Sequence, residues 1–142
     1  MKTTNTAAER LNQCGIKPSH QRLMIMSYLL THYTHPCADT VYSSLVARMP
    51  TLSKTTVYNT LRLFARHGAA LELSIDEKCL RFDGVIQPHV HFMCKECGSI
   101  YDIPLGKKNV PTSVPKKFVV TESQLYLKGL CEGCAGKKRN AA

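Results

Sequence analysis

Four cysteines of the chain fall into two Cys-x-x-Cys pairs. The pairs are Cys94 with Cys97 and, near the end of the sequence, Cys131 with Cys134. Two such pairs separated by a folded segment are typical of a tetrahedral structural zinc site, because thiolates at this spacing bind one ion from a tight turn. Gly98 follows the first pair and Gly133 lies inside the second, and glycine suits tight turns. We predict structural Zn²⁺ here; redox dithiols or a pair of disulfides are the alternative.

A second group of possible metal ligands lies just before the first cysteine pair. His89 and His91 are two residues apart, so on a β-strand their imidazoles lie on the same face. Asp102 follows a short distance further on and adds a carboxylate. Nitrogen and oxygen ligands suit Fe(II), Mn(II) or Zn(II) better than Cu(I). The pattern indicates a second metal centre that needs further ligands from elsewhere; two partly exposed strand histidines are the alternative.

The composition indicates a packed protein of one large or two small domains. Of the 142 residues, 44% are hydrophobic, and no signal peptide or membrane-length apolar run is visible. We therefore expect a cytoplasmic protein with no membrane partner, in which seven cysteines favour metal ligands over disulfides. Cys14, Cys37 and Cys79 have no assignment, and Cys37 is interpreted as a small buried residue. The net charge of +9 predicts a polyanionic partner, with nucleic acid the first candidate.

Helix signals dominate the N-terminal half. We predict helices over residues 6–14, from Ser19 to the break before Pro36, over 38–49, and from Lys54 to about His67. Gly15 and Gly68 are expected to end the first and the fourth. The buried side chains expected in the second helix are Leu23, Met26, Leu29 and Leu30, and those expected in the third are Val41, Leu45 and Met49.

The fourth helix has two separate faces. Its expected core residues are Val57, Leu61 and Phe64, and its basic, polar stripe without an acid is Thr55, Asn59, Arg62 and Arg66. Such groups read base edges and hold phosphates, although a solvated helix face is the alternative. Alternating residues 71–75 and 79–82 predict a hairpin directly afterwards. Helices followed by a hairpin predict a winged helix-turn-helix, whose last helix enters the DNA major groove.

The C-terminal half is predicted to be a small α/β dimerisation domain, which makes the whole chain α+β. We place the DNA-binding domain at 1–83, a hinge at 84–88 and the zinc-binding dimerisation domain with its basic tail at 89–142. Strands are expected over 99–103, 118–121 and 124–127, with an extended loop over 104–117 and a disordered tail over 135–142. An open sheet offers an edge to a second copy, so we expect a homodimer on a palindromic operator in double-stranded DNA.

Several ordered motifs run through the chain. They are Gln21-Arg22, His35-Pro36-Cys37-Ala38-Asp39, Ser53-x-x-Thr56-Val57-Tyr58-Asn59-x-Leu61, Arg81-Phe82-Asp83, His89-x-His91, Cys94-x-x-Cys97-Gly98, Asp102 and Cys131-x-x-Cys134. Together they resemble the ferric uptake regulator (Fur) family of metal-dependent repressors over nearly the whole length. The resemblance implies a regulatory Fe²⁺ or Mn²⁺ ion held by His35, Asp83, His89, His91 and Asp102. It also leads us to expect DNA contacts from Arg22, Lys54, Thr55, Thr56, Tyr58, Asn59 and Arg62.

The two acids of the regulatory set point to one branch of that family. Asp83 and Asp102 stand where typical iron-uptake repressors have glutamates, as in the similar peroxide-responsive (PerR) repressors. The resemblance then implies that peroxide oxidises a ligand histidine, His35 or His89, when Fe(II) is bound and not when Mn(II) is bound. The alternative is a repressor for iron, manganese or zinc homeostasis without peroxide chemistry.

The chain also departs from its relatives. Some relatives carry a further metal site with a histidine near the final strand and an acid at the position of Val90; residues 121–124 here hold no histidine, so we predict no third full metal site. We expect no enzyme activity, because four cysteines close the zinc site and leave no open position for a substrate. A thiol oxidoreductase or a zinc hydrolase is the alternative.

Overall fold

A computed structural model describes residues 6–106 and 114–140. The chain separates into two compact units, Met1–Ile86 and Gln87–Ala142, and their boundary lies within the stretch 84–88 that we interpreted as a hinge. In the part of the chain that is described, no helix has the length and apolarity needed to cross a membrane.

The first unit begins with helices whose ends follow the local sequence signals. They are α1 (Ala7–Gln13), α2 (His20–Thr31), α3 (Ala38–Leu45) and α4 (Lys54–Arg66). The Ser19 and Ser53 hydroxyls each accept a hydrogen bond from the backbone N–H three residues on, so both predicted N-caps are confirmed. Gly15 and Gly68 have φ of +69° and +74°, the left-handed conformation expected where a helix ends.

The core of the first unit confirms the predicted apolar faces of α3 and α4, and in α2 it confirms Met26 and Leu29, which are both 0% exposed. The α4 side chains with 0% exposure include the three predicted ones, Val57, Leu61 and Phe64. In α2, however, Ile25 and Tyr28 are buried, whereas Leu23 and Leu30 are only half-buried. The reason is that α2 packs against α1, α3 and α4 together, so its buried arc is wider than a single stripe.

A two-stranded antiparallel hairpin follows α4. Strand β1 (Leu71–Leu73) pairs with β2 (Arg81–Asp83), so that Glu72 lies opposite Phe82. The hairpin is confirmed with shorter strands than predicted, because the Asp76 carboxylate accepts the backbone N–H of Lys78 at 2.9 Å and folds the connecting stretch. Helices α2 to α4 with this hairpin form a winged helix-turn-helix.

The second unit is a three-stranded sheet followed by a helix. Strand β3 (Val90–Cys94) is central; it is antiparallel to β4 (Ile100–Ile103) and parallel to β5 (Tyr126–Gly129). Helix α5 (Glu132–Asn140) ends the described chain. The connection between β4 and β5 includes residues 107–113, which lie outside the described residues, so the predicted loop over 104–117 is described only at its two ends, where neither end is helical.

Two predictions for the second unit are wrong. Residues 118–121 form no strand, because none of the strands described for the unit pairs with them, and Phe118 and Val119 are 70% and 86% exposed. Most of the tail expected to be disordered is α5, since Cys134 anchors its first turns in the cysteine cluster and Lys138 lies 2.9 Å from the Glu96 carboxylate. Lys137 and Lys138 therefore lie on a helix that begins at a candidate metal site.

Candidate metal centres and DNA-reading helix

The four predicted cysteines converge in the second unit. The sulfur atoms of Cys94, Cys97, Cys131 and Cys134 all lie within 4.8 Å of one another. The Cys97 and Cys131 sulfurs are 3.8 Å apart, which matches the edge of about 3.8 Å in a tetrahedron with Zn–S bonds of about 2.3 Å. The donor set and its spacing therefore fit one tetrahedral metal ion.

Backbone geometry places the first cysteine pair in a tight turn. Gly98 has φ of +74°, and its N–H donates to the Cys94 carbonyl at 2.9 Å. The predicted role of glycine is thus observed at Gly98 but not at Gly133, which lies within α5 in helical geometry. Helix α5 accommodates the second pair because Cys131 directly precedes the helix and Cys134 lies in its first turn.

Hydrogen bonds within the cluster give its thiols different pKa values. The N–H groups of Cys97 and Cys131 lower the pKa of Cys94 to about 6. Hydrogen bonding to Cys131 and Cys94 raises the pKa of Cys134 to about 12. The cluster therefore stabilises a thiolate at Cys94, and thiolate is the form that binds a metal ion.

His91 in β3, His89 just before that strand, and Asp102 in β4 lie close together in the second unit. Asp102 lies opposite His91 across β3 and β4, and its Oδ1 is 3.2 Å from His89 Nε2 and 3.6 Å from His91 Nε2. His89 Nδ1 is 2.7 Å from the Gln87 carbonyl. Because a carbonyl only accepts, Nδ1 donates in this contact, and Nε2, which faces Asp102, is the ring atom placed to bind a metal ion.

His35 and Asp83 form a second group, in the first unit. His35 Nε2 lies 3.4 Å from Asp83 Oδ2, and both side chains are 3% exposed. The Val85 N–H donates to the other carboxylate oxygen at 2.9 Å and fixes the orientation of the group. His35 itself has φ of +53°, an unusual conformation for a residue other than glycine, so the surrounding contacts must hold this loop.

Sequence reasoning missed the residues that hold the His35 loop. The Arg81 guanidinium donates to the His35 carbonyl at 3.1 Å and to Asp76 Oδ2 at 3.0 Å and 3.1 Å. The N–H of Phe82 donates to the Pro36 carbonyl at 3.0 Å. The only signal in the sequence was the Arg81-Phe82-Asp83 motif, in which we assigned a role to the acid alone.

Two of the unassigned cysteines form a disulfide. Cys37 and Cys79 are bonded to each other across 42 residues, with their Cα atoms 6.3 Å apart. The expectation that the cysteines serve as metal ligands rather than in disulfides is therefore wrong for this pair, and so is the interpretation of Cys37 as only a small apolar residue. Their distance in sequence concealed a contact that the tertiary fold creates. Cys14 is a free thiol.

Most of the predicted DNA contacts lie on the exposed side of α4. Lys54, Thr55, Tyr58, Asn59 and Arg62 are exposed, whereas Thr56 and Arg22 are half-buried. Thr56 belongs to the N-cap, because its N–H donates to Ser53 Oγ and its hydroxyl oxygen accepts from the same hydroxyl.

The basic stripe of α4 does meet an acid, which comes from another element. Arg62 Nε lies 3.0 Å from the Glu72 carboxylate of β1. The Tyr58 hydroxyl and this carboxylate raise the pKa of Arg62. The sequence of α4 alone could not reveal a partner that is supplied by the hairpin.

A winged helix-turn-helix joined to a small sheet with cysteine and histidine–carboxylate ligand groups defines a class of metal-binding regulators. The model of the ferric uptake regulator family matches residues 13–127, and the chain belongs to this family. The fold class predicted from the sequence and the resemblance are thereby confirmed.

Individual relatives cover almost the whole chain. The chain is 34% identical over 137 residues to the peroxide operon regulator of Bacillus subtilis, covering 94% of each chain. It is 35% identical over 130 residues to the peroxide-responsive repressor PerR of Staphylococcus aureus, covering 89% of this chain and 88% of that one. The solved structure of the Helicobacter pylori ferric uptake regulator, described as having three functional metal-binding sites, superimposes with a TM-score of 0.69 at 18% identity, covering 94% and 95% of the two chains.

Proposed function

We propose that this chain is a cytoplasmic, metal-dependent transcriptional repressor that senses peroxide. In this proposal, the protein binds a structural Zn²⁺ in the four-cysteine cluster and a regulatory Fe²⁺ or Mn²⁺. Family membership and the relatives named for peroxide regulation and repression support it. The prediction that no third full metal site exists stays a prediction.

One observation carries the proposed regulation: each unit holds a group of imidazole and carboxylate side chains that are candidate ligands for a metal ion. The first unit offers His35 with Asp83, and the second offers His89, His91 and Asp102. Imidazole and carboxylate donors fit Fe²⁺ or Mn²⁺. We infer that one ion takes ligands from both sets and so restricts the angle at the hinge 84–88. Metal binding then shifts the population towards the DNA-binding arrangement, in proportion to its higher affinity for that arrangement.

The peroxide response follows from the ligand types. Bound Fe²⁺ would supply the one-electron chemistry that turns peroxide into an oxidant of a neighbouring imidazole. His35 and His89 are the side chains we expect to gain oxygen. A modified imidazole no longer donates its lone pair in the same geometry, so the ion and then the DNA are released.

The proposed partners are double-stranded DNA and a second copy of the chain. Helix α4 presents exposed Lys54 and Asn59 for phosphates and base edges. In the second unit, apolar side chains are strongly exposed; they include Tyr101, Phe118, Val119, Val120 and Leu127. An apolar surface of this kind is typical of a protein interface. A two-fold dimer would place two copies of α4 on a palindromic operator.

Operator selection tests the metal switch without requiring a chosen target gene. Duplexes selected from a random pool by the Mn(II)-loaded chain are assayed again after chelation of the regulatory ion, with zinc retained. We expect binding to weaken on the order of 10- to 100-fold, the usual range of allosteric coupling. His91→Ala should bind weakly with or without Mn(II), whereas His67→Ala, an exposed histidine outside both ligand groups, should keep the metal response. Equal affinity with and without Mn(II) would refute the switch.

Mass spectrometry separates peroxide sensing from simple metal sensing. The Fe(II)-loaded and Mn(II)-loaded chains are treated with hydrogen peroxide and digested. We expect an added oxygen on His35 or His89 in the Fe(II) form only. If neither histidine gains oxygen although the metal switch operates, the chain senses metal supply and not peroxide.

A further inference from the structure

The Cys37–Cys79 disulfide lies apart from both candidate metal centres. Its Cα–Cα distance of 6.3 Å is within the usual range of about 4.4–6.8 Å for disulfides. Both residues are half-buried and not enclosed in the core, and the proposal requires that small oxidants and thiols reach their sulfur atoms. We propose that Cys37 and Cys79 form a reversible thiol modification site, which peroxide oxidises to a disulfide that fixes the His35 loop to the β1–β2 hairpin.

The position of the two sulfurs supports a role in holding this loop. Cys37 is the N-cap residue of α3 and follows His35 by two positions. Cys79 precedes β2, the strand that ends with Asp83. The disulfide therefore joins the same two segments that the Arg81–His35 hydrogen bond joins. Because His35 has a left-handed backbone, the loop needs such restraints, and a covalent one is the strongest available.

A permanent structural disulfide is not expected in the cytoplasm, where we propose that this repressor acts. A repressor reads DNA in the cytoplasm, where thiols are kept reduced and disulfides are usually transient and redox-sensing. Reduced Cys37 and Cys79 would still lie next to each other, because the Phe82–Pro36 hydrogen bond and the Arg81 contacts hold the segments together without the covalent bond. The pair is thus arranged to close when an oxidant arrives and to open when a thiol reductant follows.

The reaction with hydrogen peroxide balances with no further reactant. One cysteine sulfur attacks a peroxide oxygen, the O–O bond breaks, and a sulfenic acid and one water are formed. The second sulfur then displaces the sulfenic oxygen, which leaves as a second water while the S–S bond forms. Two thiols lose two electrons and two protons, and one peroxide becomes two waters. Exchange with two molecules of a small thiol restores both cysteines and gives that thiol's disulfide.

Formation of the disulfide should stabilise the part of the first unit that holds His35 and Asp83. A bond across 42 residues removes conformations from the unfolded and locally opened chain. We expect slower amide exchange in residues 35–41 and 79–83 of the oxidised form. We also expect Mn(II) to bind about 3- to 10-fold more tightly, because the His35–Asp83 pair is held in place beforehand; this last expectation rests on the proposed function.

The test uses the full chain with zinc and Mn(II) bound, because Mn(II) avoids histidine oxidation. Reduced protein is treated with hydrogen peroxide, alkylated, and mapped without reduction. We expect a Cys37–Cys79 linked peptide that a small thiol reverses, with Cys14 still alkylated. Cys37→Ser/Cys79→Ser should show the amide exchange of the reduced wild type under both conditions, and the matched variant Cys14→Ser should respond like wild type.

Two results would overturn the thiol site. One is that Cys37 and Cys79 stay alkylatable after peroxide, or pair with other cysteines. The other is that oxidised and reduced chains exchange amides equally in both segments. A disulfide that forms and slows exchange while Mn(II) affinity is unchanged overturns the coupling to the metal centre. The proposed function fails separately if Mn(II) does not change the DNA affinity of the reduced chain.

Discussion

Replacing Arg81 with methionine removes the guanidinium that joins the hairpin to the His35 loop. Its Nε and Nη2 donate to Asp76 at 3.1 Å and 3.0 Å, and its Nη1 donates to the His35 carbonyl at 3.1 Å. Methionine keeps an unbranched side chain of similar length, so the substitution chiefly removes polar contacts.

The free energy of unfolding should fall by about 2–4 kcal/mol. Hydrogen bonds to a charged group contribute about 1.5–3 kcal/mol, and the Asp76 side chain, only 8% exposed, would lose its cation. The Lys78 N–H still donates to that carboxylate and limits the loss. The Arg62–Glu72 pair is a matched control at a similar distance, 3.0 Å, but its side chains are 44% and 31% exposed. Solvent screens such a pair, so Arg62→Met should lower the free energy of unfolding much less than Arg81→Met does.

Urea unfolding followed by far-ultraviolet circular dichroism measures both variants, because α1 to α4 provide most of the helix signal. The protein is kept reduced, since a Cys37–Cys79 bond would restrain the same loop. Combined with Asp76→Asn, Arg81→Met should cost much less than the sum of the single changes. Equal shifts for the two arginine variants, or strict additivity with Asp76→Asn, would refute the reasoning.

Three further predictions concern acidity, packing and zinc. The Lys78 N–H, followed by Arg81, lowers the pKa of Asp76 below its usual 3.8. The Asp76 carboxylate therefore stabilises the fold above a pH of about 4, and this contribution is lost as pH falls through the lowered pKa. Urea midpoints measured from about pH 5 down to about pH 2 should fall less steeply for Asp76→Asn than for the wild type. Gly84→Ala would place Cβ 2.8 Å from the Leu29 carbonyl oxygen and should lower the free energy of unfolding by about 1–3 kcal/mol in the same assay. An unchanged urea midpoint would mean that the backbone shifts freely, and it would contradict this steric argument. Zinc affinity, measured by competition with a chromophoric chelator, should weaken steadily as pH is lowered, because protons compete for the thiolates, and more steeply below about 6, the pKa of Cys94. Cys94→Ser should lose zinc at neutral pH, and retention of a full equivalent would contradict the four-cysteine site.

Local patterns in the sequence were sufficient for several features of the protein. Ser19 and Ser53 cap helices because capping depends on a side chain and a backbone N–H three residues apart. The apolar and polar faces of α4 follow from helical periodicity. The two Cys-x-x-Cys pairs predicted the cysteine cluster because each pair makes its own turn, and the strand spacing of His89 and His91 predicted their shared face.

Other features depend on segments that meet only in the folded chain. Glu72 neutralises part of the α4 stripe from another element, and Arg81 reaches the His35 carbonyl across 46 residues. Cys37 and Cys79, 42 residues apart, carry no spacing signal at all. Periodicity and capping report on contacts within about one helical turn or one strand pair. The sequence therefore determined which residue types are available as ligands and where helices begin, whereas the tertiary fold decided which thiols meet and which cation holds the His35 loop, because these contacts depend on how distant elements pack.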